Sequence, residues 1–224
     1  MYLTRIALDL NRRETLRALA SPHVIHGAVE SSVPPGESEK RERNLWRIDY
    51  LEPNCYLLVL SRQVPNMTAI ATQFGYAQRE PAWETRCYQT LLSKLHAGQA
   101  LRFRLRANPV RSSCIENEGA NGRGRVYAHV TVEQQKQWLY SRSEGLGFAL
   151  DDQTFTVVHT EWKKFRKSRG FGNEVSLRIA DFEGRLQVTN VELFKHALTQ
   201  GIGRAKSYGC GLLTVARERE LSGG

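Results

Sequence analysis

From residue 2 to residue 8, apolar side chains at Leu3, Ile6 and Leu8 recur among polar ones as in a half-buried strand. Residues 11–20 and 22–31 then take up helical spacing. Ser21 followed by Pro22 predicts where the second helix begins, because a serine hydroxyl can accept from an orphan helix amide and proline at the first helical position has no amide to lose. That helix carries His23 and His26. Residues 33–43, polar and containing Pro-Gly, read as an exposed loop. After it, 45–50 and 55–62 form two strands of a hairpin turning at Pro53-Asn54. Leu91, Leu92 and Leu95 predict a helix over 84–95 that stops at Gly98. The next strand has a plain pattern: Leu101, Phe103, Leu105 and Ala107 alternate with Arg102, Arg104 and Arg106, giving one apolar and one arginine-rich face.

The order so far is β-α-β-β-α-β, the ferredoxin-like arrangement of a four-stranded antiparallel sheet with helices on one face. It recurs less clearly downstream. Residues 125–131 read as a strand, 133–142 as a helix, and 145–147 as a turn. Residues 155–165, 175–182 and 185–188 read as extended, with a turn at Glu183-Gly184, followed by a short helix over 191–199 and a last strand over 212–216. An α+β protein of tandem ferredoxin-like (βαββαβ) domains with antiparallel sheets is therefore expected, divided near Asn108-Pro109 into domains 1–109 and 110–224. The 224-residue length suits two such units. Residues 111–123 read as a polar connection and 217–224 as a frayed tail.

Composition narrows the function classes. Hydrophobic residues make up 41% of the chain, enough for a core, yet no run approaches the roughly 18 apolar residues of a membrane span. Residues 1–9 alternate instead of leading from a basic stretch into an apolar one, so no secretory leader is visible and a cytoplasmic location is expected. Cys55, Cys87, Cys114 and Cys210 lie far apart without a C-x-x-C pair, which argues against a zinc knuckle or redox motif and for reduced, structural thiols. The net charge of +9 favours a polyanionic partner, although charge alone does not separate RNA from DNA, and a merely soluble basic protein would also fit.

Two segments carry candidate chemistry. Residues 201–211 place Gly201, Gly203, Gly209 and Gly211 around Arg204 and Lys206, a composition that lets amides and cations approach phosphate closely. The loop is not a P-loop, since Ala205 precedes Lys206, and not a dinucleotide fingerprint, since Lys206 stands where a third glycine belongs. By itself it fits a structural turn with incidental charge equally well. The densest cationic stretch is 161–169, where Lys163, Lys164, Arg166, Lys167 and Arg169 are interleaved with Trp162 and Phe165 at the turn between two predicted strands. An exposed basic hairpin serving solubility alone is the competing reading. Residues 169–172 begin like an RNA-recognition motif but continue Asn173-Glu174, and the likeness is read as coincidence.

Residues 201–215 closely resemble the C-terminal signature of the Cas-six superfamily of CRISPR-associated proteins, specifically the CasE branch that processes precursor CRISPR RNA in type I-E systems. Residues 1–8, Asn44-Leu45-Trp46-Arg47-Ile48, and 101–109 are similar to that family's first strand, second strand and the strand ending its first domain. The resemblance implies metal-independent cleavage on the 3′ side of the repeat stem-loop, with no cofactor. It further implies that the mature guide RNA is retained alongside other Cascade subunits. His26 matches the family's catalytic histidine. The family often has tyrosine three residues earlier, where this chain has His23, on the same helix face as His26. Cleavage by the 2′-hydroxyl needs proton transfers that histidine suits, with its ordinary pKa of about 6.5. A zinc site on this histidine pair would need a third ligand, and none stands at a recognisable spacing. The resemblance also sends the basic hairpin into the groove of the stem. Ser31, Ser32, Lys40 and Arg41 are weaker candidates for stabilising charge. A noncatalytic RNA-binding scaffold of related fold is the alternative, with both histidines incidental.

Overall fold

The computed structural model describes residues 1–35, 43–113, 125–166 and 174–218. Its first unit contains β1 (Tyr2–Leu8), α1 (Arg13–Ala20), α2 (Pro22–Ser32), β2 (Leu45–Leu51), β3 (Asn54–Ser61), α3 (Thr68–Phe74) and β4 (Trp83–Cys87). The strands form an antiparallel sheet in the order β2-β3-β1-β4, the ferredoxin-like order. β3 reads as a nearly continuous apolar run because both its faces are covered. Leu57 and Val59 pack with Ile25 and Val29 of α2 and Ile70 and Phe74 of α3, while Leu60 joins the core of the second unit.

The helix expected over 84–95 is a strand followed by the single helical turn α4 (Gln89–Leu92). Cross-strand pairing with β1 decides this. Glu84 and Thr85 lie opposite Arg5 and Thr4, with Arg5 Nη2 donating to Glu84 Oε1 at 2.9 Å and the two threonine hydroxyls 2.9 Å apart. The helix between β3 and β4 is α3, a segment to which the sequence pattern assigns no element. It is short, and only Ile70, Ala71 and Phe74 mark its buried face. Pro22 opens α2 as expected, but the Ser21 hydroxyl makes no cap; its carbonyl accepts from the Val24 N–H at 2.8 Å instead.

The second unit runs β5 (Ala100–Ala107), β6 (Val110–Ser113), β7 (Arg125–Ala128), α5 (Val132–Ser143), β8 (Phe148–Ala149), β9 (Phe155–Arg166), β10 (Glu174–Val188), α6 (Val191–Gln200) and β11 (Leu213–Arg217). Its main strands order as β9-β10-β5-β11, so β5-α5-β9-β10-α6-β11 repeats the first unit's topology. Two expectations change. The arginine-rich strand does not close the first unit: it is β5, at the centre of the second sheet, so a division at residue 109 would cut that sheet. The segment 125–131 does not open the second sheet either, because β7 pairs with β6 in a separate two-stranded ribbon. Alternation identifies a strand without naming its partners. Here Arg104 faces Glu183 and Arg106 faces Asp181 in direct register, and these opposite charges favour β10 as the neighbour.

β10 also continues through the expected turn at Glu183-Gly184. A Cβ at residue 184 would stand 2.3 Å from the Thr154 carbonyl oxygen and 2.4 Å from Phe155 Cα, so the glycine serves a close strand approach. α5 begins at a reciprocal capping box formed by Thr131 and Gln134.

Arg47 joins the two sheets. It is 2% exposed, and every N–H of its guanidinium is bonded. Nε and Nη2 donate to the two Asp49 oxygens at 2.6 and 2.8 Å, Nη1 to the carbonyls of Arg104 and Leu212 at 2.8 Å each, and Nη2 also to Thr214 Oγ1 at 2.7 Å. β2 is thereby bound to β5 and β11. Arg47→Ala takes the bidentate partner from the buried Asp49, leaving only Arg104 at 3.8 Å, and should lower the unfolding free energy in urea by about 3–5 kcal/mol. A loss below about 1 kcal/mol would show that the junction is held elsewhere.

Candidate functional site

α2 packs against residues 206–208 of the glycine-rich loop. From its first turn, the His23 ring stacks on Phe165 of β9, with centroids 6.2 Å apart and planes 20° apart. Phe165 meets the Tyr208 ring edge-on at 4.9 Å. The histidine helix, the basic strand and the glycine-rich loop, three segments singled out separately in the sequence, therefore converge on one aromatic cluster. Phe165 and Tyr208 carry no signature of their own in the sequence beyond their place inside motifs of charge and glycine.

His26 lies one turn further along α2, with 31% of its side chain exposed. Its Nδ1 is 3.9 Å from Glu30 Oε1, an ion-pair distance longer than a hydrogen bond. Glu30 is mostly buried and accepts from Asn44 Nδ2 at 3.4 Å. The i,i+4 spacing of His26 and Glu30 is readable in sequence, and the carboxylate is a site residue that reasoning from the motif missed. Gly27, exposed and with nothing within 4 Å of where a Cβ would stand, leaves open surface beside His26. His23 Nδ1 is buried without a hydrogen-bond partner among the described residues. Ser31 is exposed, whereas the buried Ser32 hydroxyl donates to the Val29 carbonyl at 2.8 Å.

On β9, Lys164 and Arg166 are exposed and Lys163 half-buried, and none of the three makes an ion pair among the described residues. Lys167 and Arg169 lie outside the described residues, as do Lys40 and Arg41. In the glycine-rich loop, Gly201 and Gly209 have φ of 73° and 80°. Added Cβ atoms would come within 2.9 Å of Leu45 and 2.7 Å of the Trp46 ring, so these glycines let the loop dock on β2. Gly203 and Arg204 are exposed. Lys206 is half-buried and donates to the Gln200 carbonyl at 2.7 Å; burial, then the nearby Arg43 charge, lowers its pKa.

A cleft of about 470 Å³ separates the two sheets, with Pro22, Trp46 and Ile48 on one wall and Arg104, Arg106, Glu161 and Asp181 on the other. These arginines are neutralised: Arg106 pairs with Asp181 at 2.7 Å and with Glu161, and Arg104 with Glu183. Burial pushes the Asp181 carboxyl above its ordinary range, against the opposing pull of Arg106. Burial also pushes the Cys55 thiol up to about 11 and Cys210 up to about 12, so both stay protonated and unreactive at neutral pH. Cys87 is exposed, and Cys114 is outside the described residues. Among the described residues, no three His, Cys, Asp or Glu side chains are grouped as metal ligands, and no helix is long and apolar enough to cross a membrane.

The chain matches the family model described as CRISPR associated protein over residues 1–217. It is 31% identical over 226 residues to the CRISPR-associated endoribonuclease Cse3 of Thermus thermophilus, covering 96% of this chain and 100% of that one. It is 30% identical over 166 residues to the CRISPR system Cascade subunit CasE of Escherichia coli, covering 72% and 74% of the two. Among solved structures it is similar to Thermus thermophilus Cse3 bound to an RNA representing a pre-cleavage complex, with a TM-score of 0.75, 29% identity and coverage of 96% and 98%. With a family match reaching from the first strand to the last and two relatives of 30% identity or more, this chain belongs to the CRISPR-associated protein family.

Proposed function

We propose that this chain is a cytoplasmic, metal-independent endoribonuclease that cleaves precursor CRISPR RNA on the 3′ side of the repeat stem-loop and keeps the mature guide RNA as a Cascade subunit. The observation that carries this reading is the convergence of α2, the basic strand and the glycine-rich loop, which brings the two histidines next to two cation-bearing segments. The likeness to a relative named as an endoribonuclease and to one named as a Cascade subunit supports it.

In this reaction the 2′-oxygen forms a bond to phosphorus as the bond to the 5′-oxygen breaks. One proton leaves the 2′-hydroxyl and another goes to the departing oxygen. His26, partly exposed beside the open surface at Gly27, moves one of these protons, with Glu30 Oε1 3.9 Å from its Nδ1. His23, held by its stack on Phe165, serves as the second catalytic group at the position where the family often has tyrosine. Lys163, Lys164 and Arg166, continued by Lys167 and Arg169, grip the stem's phosphates. Arg204 and Lys206 do the same from the loop shaped by Gly201 and Gly203.

Wild-type protein should cut labelled repeat RNA in the presence of chelator. Loss of cutting there, with hairpin binding retained, would favour the noncatalytic scaffold. His26→Ala should slow single-turnover cleavage by about 10²–10⁴-fold while hairpin affinity stays nearly unchanged. Retained activity would dismiss the assignment. A 2′-deoxy substitution just upstream of the cut should abolish cleavage, and a cut in that substrate would exclude the internal nucleophile. Replacing Lys163, Lys164 and Arg166 together by alanine should weaken hairpin binding and reduce the slope of log affinity against log salt by about 2 to 3. An unchanged slope would place the stem elsewhere.

A further inference from the structure

The two faces of β9 have different surroundings. Lys163 and Phe165 point toward the cleft, His23 and Tyr208. Trp162, Lys164 and Arg166 alternate with them on the opposite face, across from Arg178, Ser176 and Glu174 of β10. Trp162 is 50% exposed, whereas Trp46 and Trp138 are 2% and 3% exposed and Trp83 is half-buried. The Arg178 guanidinium lies 5.8 Å from the Trp162 ring centroid, and its Nη2 donates to Thr160 Oγ1 at 2.7 Å and to the Val130 carbonyl at 3.2 Å. Arg178, Lys164 and Arg166 make no ion pair among the described residues. A second pair of the same kind, Arg111 at 5.8 Å over the exposed Tyr127, stands on the β6–β7 ribbon, whose end is tied to this face through Val130.

We infer that this outer face of the β9–β10 ribbon is a binding site for single-stranded RNA, with Trp162 as the surface on which an unpaired base stacks. The inference rests on the RNA-processing reading and extends it from the hairpin to unpaired nucleotides beside it. The bases of an A-form stem are already stacked on each other, and its deep, narrow groove admits lysine and arginine but offers no free base face to an indole. Unpaired nucleotides offer that face, and an aromatic plane among cations is the usual means of holding them. A protein partner fits less well. The centre of a protein interface is depleted of charge, whereas this indole stands among three cations that make no ion pair among the described residues.

The test compares the bare repeat hairpin, the same hairpin with a short unpaired extension, and polyuridylate. Trp162→Ala should bind the extended hairpin about 10-fold or more weakly than wild type, as expected for a lost base stack. The bare hairpin should bind Trp162→Ala and wild type equally. Trp162→Phe should restore most of the affinity. In the wild type, tryptophan emission should be quenched by the extended hairpin and by polyuridylate but not by the bare hairpin, a readout that needs no variant. Equal losses on both hairpins would put Trp162 on the stem, and no loss with no quenching would leave the face to a protein partner. Either result overturns the inference. Failure of the wild type to bind the bare hairpin would instead remove the RNA-processing reading, while polyuridylate still decides whether the indole takes a base.

Discussion

Arg47 donates five hydrogen bonds from one buried guanidinium, and the geometry of the site depends on that junction. The Arg47–Asp49 pair is bidentate and nearly dry, so its desolvation is offset only while every donor stays bonded. Those bonds set β2 against β5 and β11. Trp46, the neighbour of Arg47 on β2, then stands where only a glycine at position 209 can approach, and Leu45 does the same for Gly201. The docked loop presents Tyr208 to Phe165 and residues 206–208 to α2, and the Phe165 ring in turn sits beneath His23. A conformational requirement of the glycine-rich loop is thus met by a strand of the other unit. A motif that resembles a phosphate cradle in sequence owes two of its glycines to packing.

Charge is sorted in the same way. The arginine-rich face of β5 looks in sequence like a phosphate surface, but the fold turns Arg104 and Arg106 of that face into the cleft against Asp49, Glu161, Asp181 and Glu183. Those charges hold the two sheets in register and have little left to offer a polyanion. The excess that makes the chain basic therefore has to stand elsewhere, and Lys163, Lys164, Arg166, Arg178 and Arg204 are among the cations that make no ion pair with the described residues. Net charge signals a polyanionic partner. Pairing decides which cations can meet it.

Much of this was legible in the chain and some was not, for definable reasons. Period-two alternation at 101–107 identifies a strand whose apolar face needs cover, yet both sheets of a tandem fold supply such cover, and only the Arg104–Glu183 and Arg106–Asp181 pairs choose between them. Helical spacing of Leu91, Leu92 and Leu95 is real, but Leu92 and Leu95 are buried from one helical turn and the residues after it, and nothing local prevents reading the strand before them as helix. α3 escaped notice because seven residues give fewer than two repeats of a 3.6 period. His26 could be singled out only through a resemblance, since a lone helix histidine has no distinctive spacing. The partner that distinguishes it, Glu30, is visible as an i,i+4 pair once the helix is assigned.

The histidine at position 23 changes the chemistry available on α2. A tyrosine would bring a hydroxyl with an ordinary pKa near 10, beyond the end of a longer ring, and would donate a proton without readily accepting one at neutral pH. Imidazole is shorter and can do either near pH 7. Its position is not loose: the ring is stacked on Phe165, and Nδ1 is buried without a hydrogen-bond partner among the described residues. Because Phe165 belongs to the basic strand, His23 packs directly on β9, while His26 lies one turn further along α2. The two histidines are therefore not equivalent. Both stand on α2, but His26 has Glu30 one turn behind it, whereas His23 is stacked on Phe165 of the strand proposed to hold the RNA.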